Sequence, residues 1–217
     1  MITLTGPEIF QNSNRDHLII FLHGWGSSGE NFVHLAKIMS KKLPNSYCIV
    51  PNAPFKRDVG MGYQWFSLEE RNEGMLYNGM KQVAPIINHF IDVRLKSFHL
   101  KDTQLSLVGF SQGAMLAIYL GLTRPQACSS VVAYSGRLIL SEQVVQEIKS
   151  KPNICMIHGD NDQVVPFKYL KLAVDTLKKH DIKITEHPIL QLDHMINEQG
   201  IKFGIEFIKQ HLIISSK

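Results

Sequence analysis

The chain has 217 residues, 44% hydrophobic and 19% charged, enough to bury a substantial core without help from metal or disulfides. Its formal charge is +4, but the cations are scattered and Lys41-Lys42 and Lys178-Lys179 are isolated pairs, so nothing here resembles a nucleic-acid groove. Cys48, Cys128 and Cys155 lie in apolar surroundings with no C-x-x-C pair, the pattern of reduced, buried thiols in a cytoplasmic protein.

Met1 to Glu8 lack the charged start and apolar segment of a signal peptide, and no later run approaches the roughly 18 apolar residues of a membrane span. The expectation is therefore one cytoplasmic domain over residues 1–217 with no transmembrane segment. Strand-like runs follow at Leu18–Leu22, Tyr47–Val50, Gln104–Val108, Ser130–Tyr134, Asn153–Ile157 and Ile182–Pro188. Three- and four-residue apolar spacing predicts helices over Glu30–Lys41, Asn72–Phe98, Gln112–Leu122, Glu142–Lys149, Phe167–His180 and Asn197–His211, with Pro85 interrupting or beginning the second. This alternation predicts an α/β fold, a mostly parallel central sheet with helices on both faces. The one long irregular stretch, Pro51 to about Ser67, combines prolines, glycines and large side chains, and long connections of this kind are often functional.

In such sheets the site lies beyond the carboxyl ends of the strands. Three strand ends carry polar, glycine-bearing loops: His23-Gly24-Trp25-Gly26-Ser27-Ser28-Gly29, Gly109-Phe110-Ser111-Gln112-Gly113 and His158-Gly159-Asp160-Asn161-Asp162. The second has the form of a nucleophile elbow, a sharp strand-to-helix turn whose glycines let strand and helix approach closely while the serine protrudes. A G-x-S-x-G string arises by chance in about one chain in ten of this length, so its context has to carry the assignment.

A base for Ser111 should be a downstream histidine in a strand-end loop. His180 and His211 fall in or at the ends of helices, His187 falls within a strand, and His158 is placed to brace its own loop, which leaves His194. Of the acids, Asp160 is suited to shaping the turn and Asp193 is adjacent to the base. Asp162 is the candidate to orient the imidazole.

Gly24-x-Gly26-x-x-Gly29 also matches the dinucleotide-binding fingerprint. That alternative, a nicotinamide-dependent oxidoreductase, needs an acidic residue at the end of the second strand. The chain instead has Val50-Pro51-Asn52-Ala53-Pro54 there, and an oxyanion loop is the better reading. No cofactor or metal is called for.

Together, Leu22-His23-Gly24-x-Gly26, Gly109-Phe110-Ser111-Gln112-Gly113, His158-Gly159-Asp160-x-Asp162-x-x-Val165-Pro166 and the late Asp193-His194-Met195 resemble the phospholipase/carboxylesterase family of small α/β-hydrolases, whose eukaryotic members are acyl-protein thioesterases. The resemblance spans about Leu18 to Leu212. It implies an α/β-hydrolase fold, Ser111 as nucleophile, Asp162 as acid and His194 as base, with the backbone N–H groups of Trp25 and Gln112 as oxyanion donors. Pro51-Asn52-Ala53-Pro54 and Gln64-Trp65-Phe66 are similar to that family's loop after the second strand, which contributes to the acyl pocket.

The chain departs from the family at two positions. Trp25 stands where leucine is frequent, adding bulk beside the acyl channel, and Asp193 stands where glycine commonly precedes the histidine. An inward-pointing Asp193 carboxylate would raise the imidazole pKa, and an outward one would leave it alone. The connection from Gly136 to Asn153 leaves no room for a large cap domain, and Met61, Tyr63, Trp65 and Phe66 are the candidate apolar pocket. The expected activity is a serine carboxylesterase of short- to medium-chain acyl esters or thioesters. Acylated proteins and lysophospholipids are narrower substrate classes within the same chemistry.

Overall fold

The computed structural model describes residues 3–12, 15–69 and 72–212; Met1 and Ile2, part of the amino-terminal reading above, lie outside them. The elements run β1 (Glu8–Ile9), β2 (His17–Leu22), α1 (Gly29–Lys42), β3 (Ser46–Ile49), β4 (Phe55–Lys56), β5 (Tyr63–Gln64), α2 (Glu73–Ser97), β6 (Leu105–Phe110), α3 (Gln112–Thr123), β7 (Ser130–Tyr134), α4 (Ser141–Gln146), β8 (Asn153–Gly159), α5 (Lys168–Lys179), β9 (Ile184–Ile189) and α6 (Glu198–His211). Among the described residues, seven strands form one sheet in the order β1-β3-β2-β6-β7-β8-β9. Along that order every pairing from β3 to β9 is parallel and β1 alone runs antiparallel, while β4 and β5 form a separate antiparallel pair.

All six residues of β2 are buried, as a central parallel strand covered on both faces requires. Its period of two splits them between two cores. Ile19 and Phe21 pack with Val33 and Met39 of α1 and Phe207 and Ile208 of α6. Leu18, Ile20 and Leu22 face α2, α3 and α5 through residues such as Val83, Leu116 and Leu170. Helix α3 is buried from Gln112 to Leu122, which explains why it reads as nearly continuous apolar sequence.

Several expectations from the sequence shift. Gly109 and Phe110 belong to β6, so the strand runs directly into Ser111. The fourth helix ends at Gln146, three residues short of Lys149. Pro85 neither interrupts nor begins α2, which continues through it; the residue is exposed, so water can satisfy the carbonyl that loses its N–H partner. The sequence reading also passes over β1, β4 and β5. Each has only two residues, too few to show a period.

The chain passes from β2 to β3 on one side, then returns across β2 to β6. The loops after β2 and β6 therefore diverge at the point where strand order reverses, and a crevice opens there. The His23 to Gly29 loop and Ser111 both lie at it.

Candidate active site

Ser111 caps the amino end of α3 with φ 54° and ψ −117°, a left-handed backbone that costs a non-glycine residue energy and holds it on the corner. Its N–H donates to Tyr134 O at 2.9 Å, fixing the corner to β7. A Cβ on Gly109 would lie 2.6 Å from Ala114 Cα, and one on Gly113 would lie 2.6 Å from His23 O. Both glycines are thus required by close approach, of helix to strand in the first case and of helix to the preceding loop in the second.

Three side chains from separate loops converge at this corner. Ser111 Oγ lies 2.9 Å from His194 Nε2, and His194 Nδ1 lies 2.7 Å from Asp162 Oδ2. Asp162 is fully buried, and its other oxygen accepts N–H groups of Val164 and Val165 at 2.9 and 2.8 Å. The carboxylate is thereby locked by its own turn, with one oxygen left for the imidazole. His158 Nε2 donates to Val165 O at 2.8 Å and lies 3.2 Å from Asp162 Oδ2. Burial pushes its pKa below the usual histidine value. His158 thus ties the Asp162 turn together, in the bracing position read from the sequence. Asp160 reaches further than a local turn, accepting the N–H of Gln191 and so linking the acid loop to the segment that carries His194. Asp193 is exposed, and its carboxylate accepts from Asn161 Nδ2.

The loop after β2 is held rigidly. Burial pushes His23 down to about 4, against a backbone hydrogen bond that raises it. The ring is therefore neutral, with Nδ1–H donating to Gly24 O at 2.8 Å and Nε2 accepting from Ala53 N–H at 3.1 Å. Gly26 N–H donates to Tyr63 O, and Gly29 N–H to Asn52 Oδ1. Asn52 stands at the strand end where a dinucleotide site would place its acid, and it is occupied in bracing the loop. Trp25 N–H donates to no backbone carbonyl among the described residues. Gln112 begins α3, where an N–H has no carbonyl one turn back.

A cavity of about 390 Å³ opens at these groups, lined by Gly24, Trp25, Ser111, Gln112 and His194 and by an apolar wall that includes Leu68, Leu76, Met115, Val165 and Tyr169. The candidate pocket residues Met61, Tyr63, Trp65 and Phe66 do not line it. Met61 is 88% exposed and points to solvent. Tyr63 pairs across β4 and β5, and its N–H donates to Ser27 O. Trp65 and Phe66 are buried beneath the site, held by their polar groups: Trp65 Nε1 donates to His23 O, Gln112 Oε1 accepts Trp65 N–H, and Gln112 Nε2 donates to Phe66 O. They clamp the His23 loop to the start of α3, setting the spacing between Trp25 and Gln112. Trp25 lines the cavity, with Nε1 donating to Gln64 Oε1 and the Arg57 guanidinium 3.6 Å above its ring.

A family model described as phospholipase/carboxylesterase matches residues 6–212. Acyl-protein thioesterase 1 of Cryptococcus neoformans var. neoformans serotype D is 29% identical over 171 residues, 73% of this chain and 71% of that protein. Acyl-protein thioesterase 1 homolog 2 of Dictyostelium discoideum is 27% identical over 221 residues, 94% of this chain and 97% of that protein. The crystal structure of esterase PE8 is 31% identical with a TM-score of 0.93, covering 97% of this chain and all of that one. The SOBER1 structure from Arabidopsis thaliana, 23% identical with a TM-score of 0.78 over 91% of this chain and 99% of its own, has the same fold.

Proposed function

The chain belongs to the phospholipase/carboxylesterase family of serine hydrolases acting on ester bonds, and from that premise we propose that it is a carboxylesterase cleaving short- to medium-chain acyl esters or thioesters through Ser111, His194 and Asp162. The reading is carried by one observation: an unbroken line of hydrogen bonds from Ser111 Oγ through both imidazole nitrogens to Asp162 Oδ2, at 2.9 and 2.7 Å, at the mouth of an apolar cavity.

A serine hydroxyl attacks a carbonyl only if its proton is taken as the bond forms. Asp162 accepts the hydrogen bond of His194 Nδ1–H, which holds the ring in the tautomer whose Nε2 is unprotonated and faces Ser111 Oγ. Nε2 takes the serine proton during attack, and the backbone N–H groups of Trp25 and Gln112 hold the tetrahedral oxyanion. The imidazolium then protonates the departing alcohol or thiol, leaving an acyl-serine. Nε2 next takes a proton from water as it attacks the acyl carbonyl, and returns that proton to Ser111 Oγ as the bond to the acyl carbon breaks and the acid leaves. No cofactor enters any of these steps.

The cavity serves as the acyl pocket, and its volume and apolar wall support chains of short to medium length. Deacylation of proteins, the activity named for the thioesterase relatives, and lysophospholipid hydrolysis use the same chemistry on larger leaving groups. The test is steady-state hydrolysis of para-nitrophenyl butyrate by wild type and Ser111→Ala. A drop of several powers of ten is expected, and near-normal activity in the variant overturns the assignment. Among the described residues no helix is long and apolar enough to cross a membrane.

A further inference from the structure

Arg137 is the only cation that lines the candidate acyl cavity among the described residues. Its side chain is 13% exposed, Nη1 lies 2.5 Å from Glu73 Oε1, and the guanidinium sits 4.7 Å over the Tyr169 ring. Glu73 also accepts the N–H of Leu140, which fixes the carboxylate in place. On the far side of this assembly lies a second cavity of about 330 Å³, lined by Glu73, Tyr169, Leu138, Leu140, Leu172 and Thr176 among others. Arg137 faces only the first cavity, Glu73 only the second, and Tyr169 both. The ion pair and the ring therefore stand between two spaces, the second of mixed lining, with Leu138, Leu140 and Leu172 beside Ser141, Glu142 and Gln143.

We propose that the Arg137–Glu73 pair, closed over by Tyr169, is the element that sets acyl-chain length in this enzyme, admitting short and medium chains and turning away long ones. The inference rests on the reading of the first cavity as the acyl pocket. An alkyl chain that fills that cavity meets a charged wall. Going further requires it to part the mostly buried Arg137 guanidinium from Glu73, whose side chain is 41% exposed and stays hydrated, so the cost falls on the guanidinium left without its partner away from water. With the wall removed, each further methylene that leaves water contributes a factor of about four, and Leu138, Leu140 and Leu172 supply the surface to receive it.

The experiment measures kcat/KM for para-nitrophenyl butyrate, octanoate and dodecanoate in wild type, Arg137→Met, Arg137→Lys and the double variant Arg137→Met with Thr176→Trp. Each profile is normalised to that protein's own butyrate value, and stoichiometric fluorophosphonate labelling confirms a folded site in each. Wild type should fall steeply from octanoate to dodecanoate. Arg137→Met should raise the dodecanoate-to-butyrate ratio at least tenfold. Arg137→Lys keeps a cation opposite Glu73 and should hold the wild-type profile, and Thr176→Trp, which fills the second cavity, should cancel the gain of Arg137→Met. An Arg137→Met profile superimposable on wild type overturns the proposal, as does a gain that survives Thr176→Trp. Failure of the underlying catalytic reading looks different: wild type would then hydrolyse none of the esters, or Ser111→Ala would hydrolyse all of them.

Discussion

In an Asp162→Asn variant the amide keeps the shape of the carboxylate but has a single acceptor oxygen. The N–H groups of Val164 and Val165 both point at Oδ1, at 2.9 and 2.8 Å, so that position keeps the carbonyl. The NH2 group then occupies the place of Oδ2, 2.7 Å from His194 Nδ1. The flipped amide would set its NH2 against two backbone donors, losing two hydrogen bonds at roughly 1–3 kcal/mol each. His158 Nε2 lies 3.2 Å from the same Oδ2, but its proton is already given to Val165 O at 2.8 Å and does not drive the flip. Facing an NH2 donor, His194 Nδ1 becomes an acceptor and the ring proton moves to Nε2, the atom that has to receive the serine proton. A wrong-tautomer imidazole lowers kcat by about 10⁴, or about 5 kcal/mol of barrier. The assay is kcat on para-nitrophenyl butyrate, with circular dichroism melting to show that the fold is intact. A variant that melts normally yet retains kcat within tenfold of wild type refutes the role given to Asp162.

Three further outcomes follow from the same geometry. Gln112→Ala orphans the buried Trp65 N–H and Phe66 carbonyl that its amide now satisfies; a stability loss of about 2–4 kcal/mol is expected in urea unfolding, with kcat falling as the oxyanion donors lose their fixed spacing. Gly113→Ala places a methyl 2.6 Å from His23 O, where backbone cannot yield, so expression as insoluble protein or a melting temperature at least 10 °C lower is expected. Burial holds His17 and His23 down to about 4, whereas the unfolded chain takes up protons on both below about 6.5. Stability is therefore full above that value and falls as pH drops toward 4, by about 2 kcal/mol per histidine at pH 5. Urea midpoints at pH 7.5 and 5 check this; burial lowers His158 and His187 in the same direction, and His17→Asn, which removes one of these groups, should flatten the slope.

The parallel sheet was legible because its central strands are buried on both faces and read as apolar runs, β2 most plainly. Ser111, Asp162 and His194 were legible as positions because each lies in a glycine-bearing or late loop within five residues of a strand end, and the structure sets them within hydrogen-bonding distance. The lining of the cavity beside Ser111 was not. Met61, Tyr63, Trp65 and Phe66 are apolar and near the site in sequence, but whether an aromatic residue lines a cavity or supports it depends on partners elsewhere. Trp65 and Phe66 are claimed by His23 and Gln112, which no local pattern reveals. The cavity wall comes instead from Leu68, Leu76, Met115, Arg137, Val165 and Tyr169, single residues from separate segments that meet only when the layers pack. Arg137 carried one available signal, a cation three residues after the largely apolar β7, but its partner Glu73 lies 64 positions away.

The central claim is that Ser111 is the activated nucleophile. Intact-protein mass spectrometry after incubation with a fluorophosphonate, followed by peptide mapping, tests it most directly. One adduct per chain on Ser111, lost or slowed by orders of magnitude in His194→Ala, is the predicted result. An unmodified wild-type protein, or an adduct mapped to any other residue, contradicts it.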